Sequence, residues 1–169
     1  PASWLRSCSR TWNFLSCSSV QFEARAARAL PDSTMRRMAT ADSAIGTKYA
    51  ALGVVNEART GLSRFVYTGI SDEQRARIGD LPVGHGLLGL LITDARPIRV
   101  DDLGSHPASS GVPPDHPPMG TFLGVPVRVR DEVFGNLYLC EKHDGTPFDQ
   151  EDEDLVLALA AAAGVAVEN

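Results

Sequence analysis

Thr121-Phe122-Leu123-Gly124-Val125-Pro126-Val127-Arg128-Val129-Arg130, then Asp131-Glu132, then Val133-Phe134-Gly135-Asn136-Leu137-Tyr138-Leu139-Cys140 is the stretch on which the fold turns. Leu123, Val125, Val127 and Val129 alternate with Arg128 and Arg130, which is the period of a half-buried strand. The second run repeats that period, and Asp131-Glu132 between them reads as a two-residue turn, so the spacing predicts an antiparallel hairpin. On its second strand Val133, Gly135, Leu137 and Leu139 share one side, and Phe134, Asn136, Tyr138 and Cys140 the other. If the aliphatic side packs on helices, Phe134 and Tyr138 face a cavity. A phenol there can donate one directional hydrogen bond; the bland alternative is a tyrosine whose hydroxyl meets solvent at a sheet edge.

Downstream, Asp149 is placed to cap a helix whose first turn carries Glu151, Asp152, Glu153 and Asp154. Its apolar seam is expected along Leu155, Leu159, Ala162 and Ala166, with Val156, Ala163 and Val167 beside it. Upstream, Tyr49 to Val55 and Leu62 to Thr68 read as neighbouring antiparallel strands. Ser71 starts a polar helix ending near Gly79, Leu87 to Ile92 a compact apolar helix, and Ile98 to Val100 a brief strand. Residues 1–20 have no clean periodicity, while Met35, Met38 and Ile45 recur at helical intervals within residues 21–45, where one or two amphipathic helices are expected; residues 1–29 are set apart as an N-terminal arm. Hairpin strands with helices at both ends describe an α+β domain over residues 30–169: an antiparallel sheet with terminal helices on one face and a ligand cavity under loops on the other.

The chain has 169 residues, room for one domain and not comfortably for two. Its net charge of −5 is spread without long single-sign blocks, which argues against nucleic acid or an anionic membrane as partner. No apolar run approaches the roughly 20 residues of a membrane span. Three cysteines, Cys8, Cys17 and Cys140, cannot all pair internally and show no Cys-x-x-Cys spacing, so a reducing cytoplasm is the expected home.

Between Asp101 and Met119 stand five prolines and two histidines, His106 and His116. Such a stretch holds neither helix nor inner strand, because proline lacks the amide donor. Within it, Pro113-Pro114-Asp115-His116-Pro117-Pro118-Met119 presents an imidazole on a stiff support, which suits a metal or haem ligand. The same residues also describe a surface histidine in a proline-rich loop, and at this level both readings stand. Gly84-His85-Gly86-Leu87-Leu88-Gly89 has G-x-G-x-x-G spacing but follows a turn rather than a strand, so it reads as glycines that start a helix close to the cavity. His106, Asp115, His116 and Cys140 follow no known zinc spacing. No Gly-x-Ser-x-Gly elbow appears.

Tyr49-Ala50-Ala51-Leu52-Gly53-Val54, Leu81-Pro82-Val83-Gly84, Arg96-Pro97-Ile98-Arg99, His106-Pro107-Ala108-Ser109, His116-Pro117-Pro118-Met119, Phe122-Leu123-Gly124-Val125-Pro126-Val127 and Gly135-Asn136-Leu137-Tyr138-Leu139, taken in order, resemble a GAF domain. The nearest likeness is the first, haem-binding GAF domain of actinobacterial dormancy-survival sensor histidine kinases, the DevS/DosT type. The resemblance implies haem b, with His116 as iron ligand, Tyr138 as the residue hydrogen-bonding a bound gas, and Phe65, Tyr67 and Met119 lining the pocket. It further implies that Gly53 leaves the haem edge open. A haem-based O2, CO, NO or redox sensor domain follows, cytoplasmic and not itself an enzyme, with a homodimer through the terminal helices and a downstream kinase as expected partners. The alternative is a haem-free GAF module for dimerisation, relay or small-molecule binding, such as a cyclic nucleotide. A GAF-type methionine sulfoxide reductase needs a set of pocket cysteines, and only Cys140 lies in the matching region.

Overall fold

The computed structural model describes residues 45–56, 58–78, 86–109 and 115–168. The arm over 1–29, most of the helix expected over 21–45, and Gly84 and His85 lie outside them. The elements in chain order are β1 (Thr47–Val55), β2 (Leu62–Thr68), α1 (Asp72–Ile78), α2 (Gly86–Thr93), β3 (Ile98–Val100), a 3-10 turn (Leu103–Ser105), β4 (Phe122–Val129), β5 (Glu132–Lys142) and α3 (Gln150–Glu168). The strands form one sheet in the order β2-β1-β5-β4-β3, antiparallel at every pairing. This is the expected α+β architecture.

β1, β5 and β4 form the middle of the sheet, and their buried runs follow from that position. One face carries Ala50, Leu52, Val54, Leu123, Val125, Val127, Leu137 and Leu139, which pack against Val156, Ala160 and Ala163 of α3. Burying such aliphatic side chains contributes roughly 1.5–3 kcal/mol each. The start of α3 is fastened by a reciprocal cap: Asp152 N donates to Asp149 Oδ1 and Asp149 N to Asp152 Oδ2, both at 3.0 Å. The first of these bonds holds the Asp149 carboxyl below its ordinary range. Asp152 Oδ2 also accepts from Lys142 Nζ at 2.8 Å, tying helix to strand. α1 is capped in the same way by Ser71 and Gln74.

Three local expectations are corrected. The hairpin turn is Arg130-Asp131, with Val129 paired to Glu132 and Arg130 at φ 55°. Phe134 does not face the cavity but joins the core under α3. The reason is a bulge: Arg128 pairs with Val133 and Val127 with Gly135, so Phe134 is an extra residue that breaks the alternation. The seam of α3 is rotated from the one expected: Val156, Ala160 and Ala163 are buried, while Leu155 is 42% exposed. An alanine-rich helix marks its inner face weakly, and close approach to β4 sets it. A Cβ on Gly164 would lie 1.9 Å from the carbonyl oxygen of Arg128.

That approach yields a sign opposite to helix propensity. Gly164→Ala would gain about 1 kcal/mol in an unconstrained helix; here it should destabilise the domain by about 1–3 kcal/mol through forced separation of α3 from β4. The urea midpoint at constant slope measures it.

Candidate functional site

The opposite face of the sheet is built in cross-strand rows. The register places Tyr67, Ala51, Tyr138, Gly124 and Ile98 side by side across all five strands. Next to this row lies Phe65-Gly53-Asn136-Pro126, and on the other flank Tyr49-Cys140-Phe122-Val100. Ala51 and Gly124 are small, so the Tyr138 ring stands between larger diagonal neighbours. Its centroid is 5.7 Å from Phe122, stacked, and 6.3 Å from Phe65, which lies 6.1 Å from Tyr67. Leu87 and Leu91 of α2 cover part of this face, with Met119, Tyr138 and Phe122 in the same packed cluster.

Tyr138 is half-buried. Desolvation pushes its phenol above the ordinary range, with a smaller push from Cys140, so the hydroxyl stays protonated and able to donate. No hydrogen bond engages it among the described residues. Tyr67 differs: its hydroxyl donates to Asp72 Oδ1 at 3.3 Å, so its ring serves as wall while its oxygen belongs to the first turn of α1.

Asn136 is the residue that sequence reasoning passes over. It is fully buried on this face, and among the described residues neither Nδ2 nor Oδ1 has a hydrogen-bond partner. A buried group left unsatisfied costs about 1–3 kcal/mol, so the carboxamide marks a place suited to a polar guest. The only sequence signal was a polar residue amid apolar neighbours. The space beside Gly53 is taken rather than open: a Cβ there would lie 2.7 Å from Leu62 Cδ1 and 2.8 Å from Asn136 Oδ1.

His116 is half-buried on the loop leading to Met119, after Asp115 at φ 65°. Its Nδ1 lies 3.0 Å from the Pro117 carbonyl oxygen. A carbonyl only accepts, so Nδ1 carries a proton in this contact, and in the neutral ring Nε2 is then the nitrogen with the lone pair. Ligating histidines commonly donate their other ring N–H to a backbone carbonyl in this way. His106 has the opposite arrangement: its Nδ1 accepts from Ala108 N at 3.1 Å and closes its own turn. Among the described residues no three His, Cys, Asp or Glu side chains converge as a metal site, so His106, Asp115, His116 and Cys140 do not form a zinc centre. A haem asks less of the chain: one imidazole, an apolar wall and few polar groups. The ring wall of Phe65, Tyr138 and Phe122 and the orphaned Asn136 carboxamide share this face, and His116 stands three residues before Met119, which packs into the same cluster; these residue types fit that demand.

A family described as GAF domain matches residues 30–168. Among solved structures, the GAF domain of a phosphoenolpyruvate-protein phosphotransferase from Coxiella burnetii superposes with a TM-score of 0.70 at 19% identity, covering 91% of this chain and 92% of that one. Residues 122 to 287 of a methyl-accepting chemotaxis protein give 0.69 at 20% identity, covering 88% and 95%. A free methionine-R-sulfoxide reductase from Neisseria meningitidis, solved with its substrate, gives 0.65 at 20% identity, covering 88% and 85%. At these identities the likeness is one of fold. No helix among the described residues is long and apolar enough to cross a membrane.

Cys140 sits on the site face but is buried, and burial, with Glu141 adding to it, pushes its thiol up, away from the reactive thiolate. In a chain carrying Cys8→Ser and Cys17→Ser, Cys140 should stay unmodified by iodoacetamide in native buffer at pH 8 and react fully in denaturant. Mass spectrometry reads both, and rapid native labelling would restore a thiol chemistry to this face.

Proposed function

The chain belongs to the GAF domain family, and on that premise we propose that it is a haem-based sensor of diatomic gas or redox state, serving a two-component histidine kinase. The observation that carries this reading is the contact of His116 Nδ1 with the Pro117 carbonyl, at 3.0 Å, which engages that nitrogen and leaves Nε2 as the one to meet a metal, on the loop whose Met119 packs into the cluster of Tyr138 and Phe122. Haem, when bound, supplies an iron able to take a diatomic gas.

The other parts are the chain's own. His116 offers its Nε2 lone pair from a segment stiffened by Pro117 and Pro118. Phe65, Phe122 and Met119 keep water from the interior. The Tyr138 hydroxyl donates one hydrogen bond, which a polar guest accepts strongly and CO weakly. Asn136 adds a second polar group two residues along the same strand face. Output follows from the thinness of the sheet: Leu137 and Leu139, the neighbours of Tyr138 on β5, pack on the opposite face with Val156 and Ala160 of α3. A shift of β5 that accompanies a change at Tyr138 is therefore delivered directly to that helix. Self-association through α3 would pass it to a kinase.

Protein purified with hemin supply should show a Soret band that His116→Ala abolishes while circular dichroism is kept. Tyr138→Phe should retain the band and change the ratio of O2 to CO affinity about fivefold, the worth of one neutral hydrogen bond. A colourless wild-type protein that refuses hemin, or an unchanged spectrum in His116→Ala, would sink the reading in favour of a haem-free GAF module.

A further inference from the structure

His116 is held from downstream, and the holder is far away in sequence. Pro117 and Pro118 have no N–H, so the first backbone donors after the imidazole belong to Met119, Gly120 and Thr121. Two of these three are taken by one carboxylate: Glu141 Oε1 accepts from Gly120 N and, at 3.0 Å, from Thr121 N. Glu141 stands near the end of β5 at φ 58°, and its own N–H donates to the Thr121 carbonyl at 3.3 Å. Its side chain is 21% exposed, with Oε2 4.0 Å from Lys48 Nζ on β1. Successive backbone amides around a carboxylate oxygen make charge-assisted bonds, stronger than neutral ones.

Gly120 is also where the other end of the loop is fastened. Its carbonyl accepts from Leu103 N at 2.6 Å. Leu103, at the start of the 3-10 turn, and Gly120, four residues after His116, are thus joined at one residue. The absent side chain at 120 lets the carboxylate approach, since a Cβ there would lie 3.1 Å from Glu141 Oε1. Between this anchor and His116 lie Met119 and two prolines of fixed φ, a short stiff spacer that carries the anchor's position to the ring. Three residues back along β5 from the anchor stands Tyr138.

We propose that Glu141 is the positioning residue of the site: its carboxylate sets the His116 loop against the strand that carries Tyr138. This deepens the haem-sensor reading and rests on it for the role of His116, but the anchoring itself is a property of the chain without haem.

The test uses the full chain with Glu141→Ala and Glu141→Gln, the latter retaining an acceptor oxygen of similar reach. Hydrogen exchange without haem should be about tenfold or more faster at Leu103, Gly120 and Thr121 in Glu141→Ala, the scale of losing bonds to a charged acceptor, with β1 and β4 still protected; Glu141→Gln should recover most of it. With hemin, Glu141→Ala should bind about tenfold or more weakly and show a shifted, broadened iron–imidazole stretch although His116 is intact, and Glu141→Gln should restore both. Unchanged exchange at the three amides, or faster exchange with a wild-type iron–imidazole signature, overturns the proposal. Wild-type protein that takes no hemin defeats the haem reading separately, and exchange then decides whether Glu141 anchors the loop.

Discussion

β5 is hydrogen-bonded along both edges, to β1 and to β4, and every part of the domain that bears on function is attached to it. Because side chains alternate across a strand, Leu137 and Leu139 go into the core beneath α3 while Asn136, Tyr138 and Cys140 go to the other face. Glu141 extends the same strand to the loop of His116. A central strand paired on both sides cannot slip by one residue without turning all of these inside out. The candidate site and α3, the proposed output helix, are therefore set by one register.

The two faces obey different rules. Under α3 the surface is aliphatic and closed, with Gly164 bringing helix backbone onto strand backbone. On the opposite face, small residues alternate with aromatic ones, and among the described residues the Asn136 carboxamide has no partner and the Tyr138 hydroxyl is not engaged. A core gains nothing from a group such as the buried Asn136 carboxamide, since an unmet buried bond opposes folding. Under the proposed function these groups would be the contacts to a guest, which is why this face and not the α3 face is taken as the candidate site. Cys140, buried on the same face, does not share that character, because nothing favours its thiolate.

Much of this is visible in order along the chain. Alternation in Leu123 to Val129 and in Leu137 to Cys140 announces two strands; the acidic run from Glu151 to Asp154 after Asp149 announces a helix start; the prolines around His116 announce a stiff loop. The bulge at Phe134 is not visible, since one extra residue in a strand leaves composition unchanged and only the pairing of Val127 with Gly135 exposes it. The inner face of α3 is equally hidden, because a helix of alanines looks alike from several sides until β4 is laid against it. Asn136 reads as an ordinary polar interruption until the assembled sheet leaves its carboxamide buried without a partner among the described residues.

Properties that depend on residue type within one segment, namely where strands run, where a helix begins and which loop is rigid, are written in the order of amino acids, because they arise from backbone sterics and local side-chain period. Properties that depend on what one segment meets are not. Glu141 reaching Gly120 across 21 residues, Phe134 crossing to the core, and Asn136 lying buried with no partner exist only once β1, β4, β5 and the loop come together, since each partner is supplied by a different part of the chain.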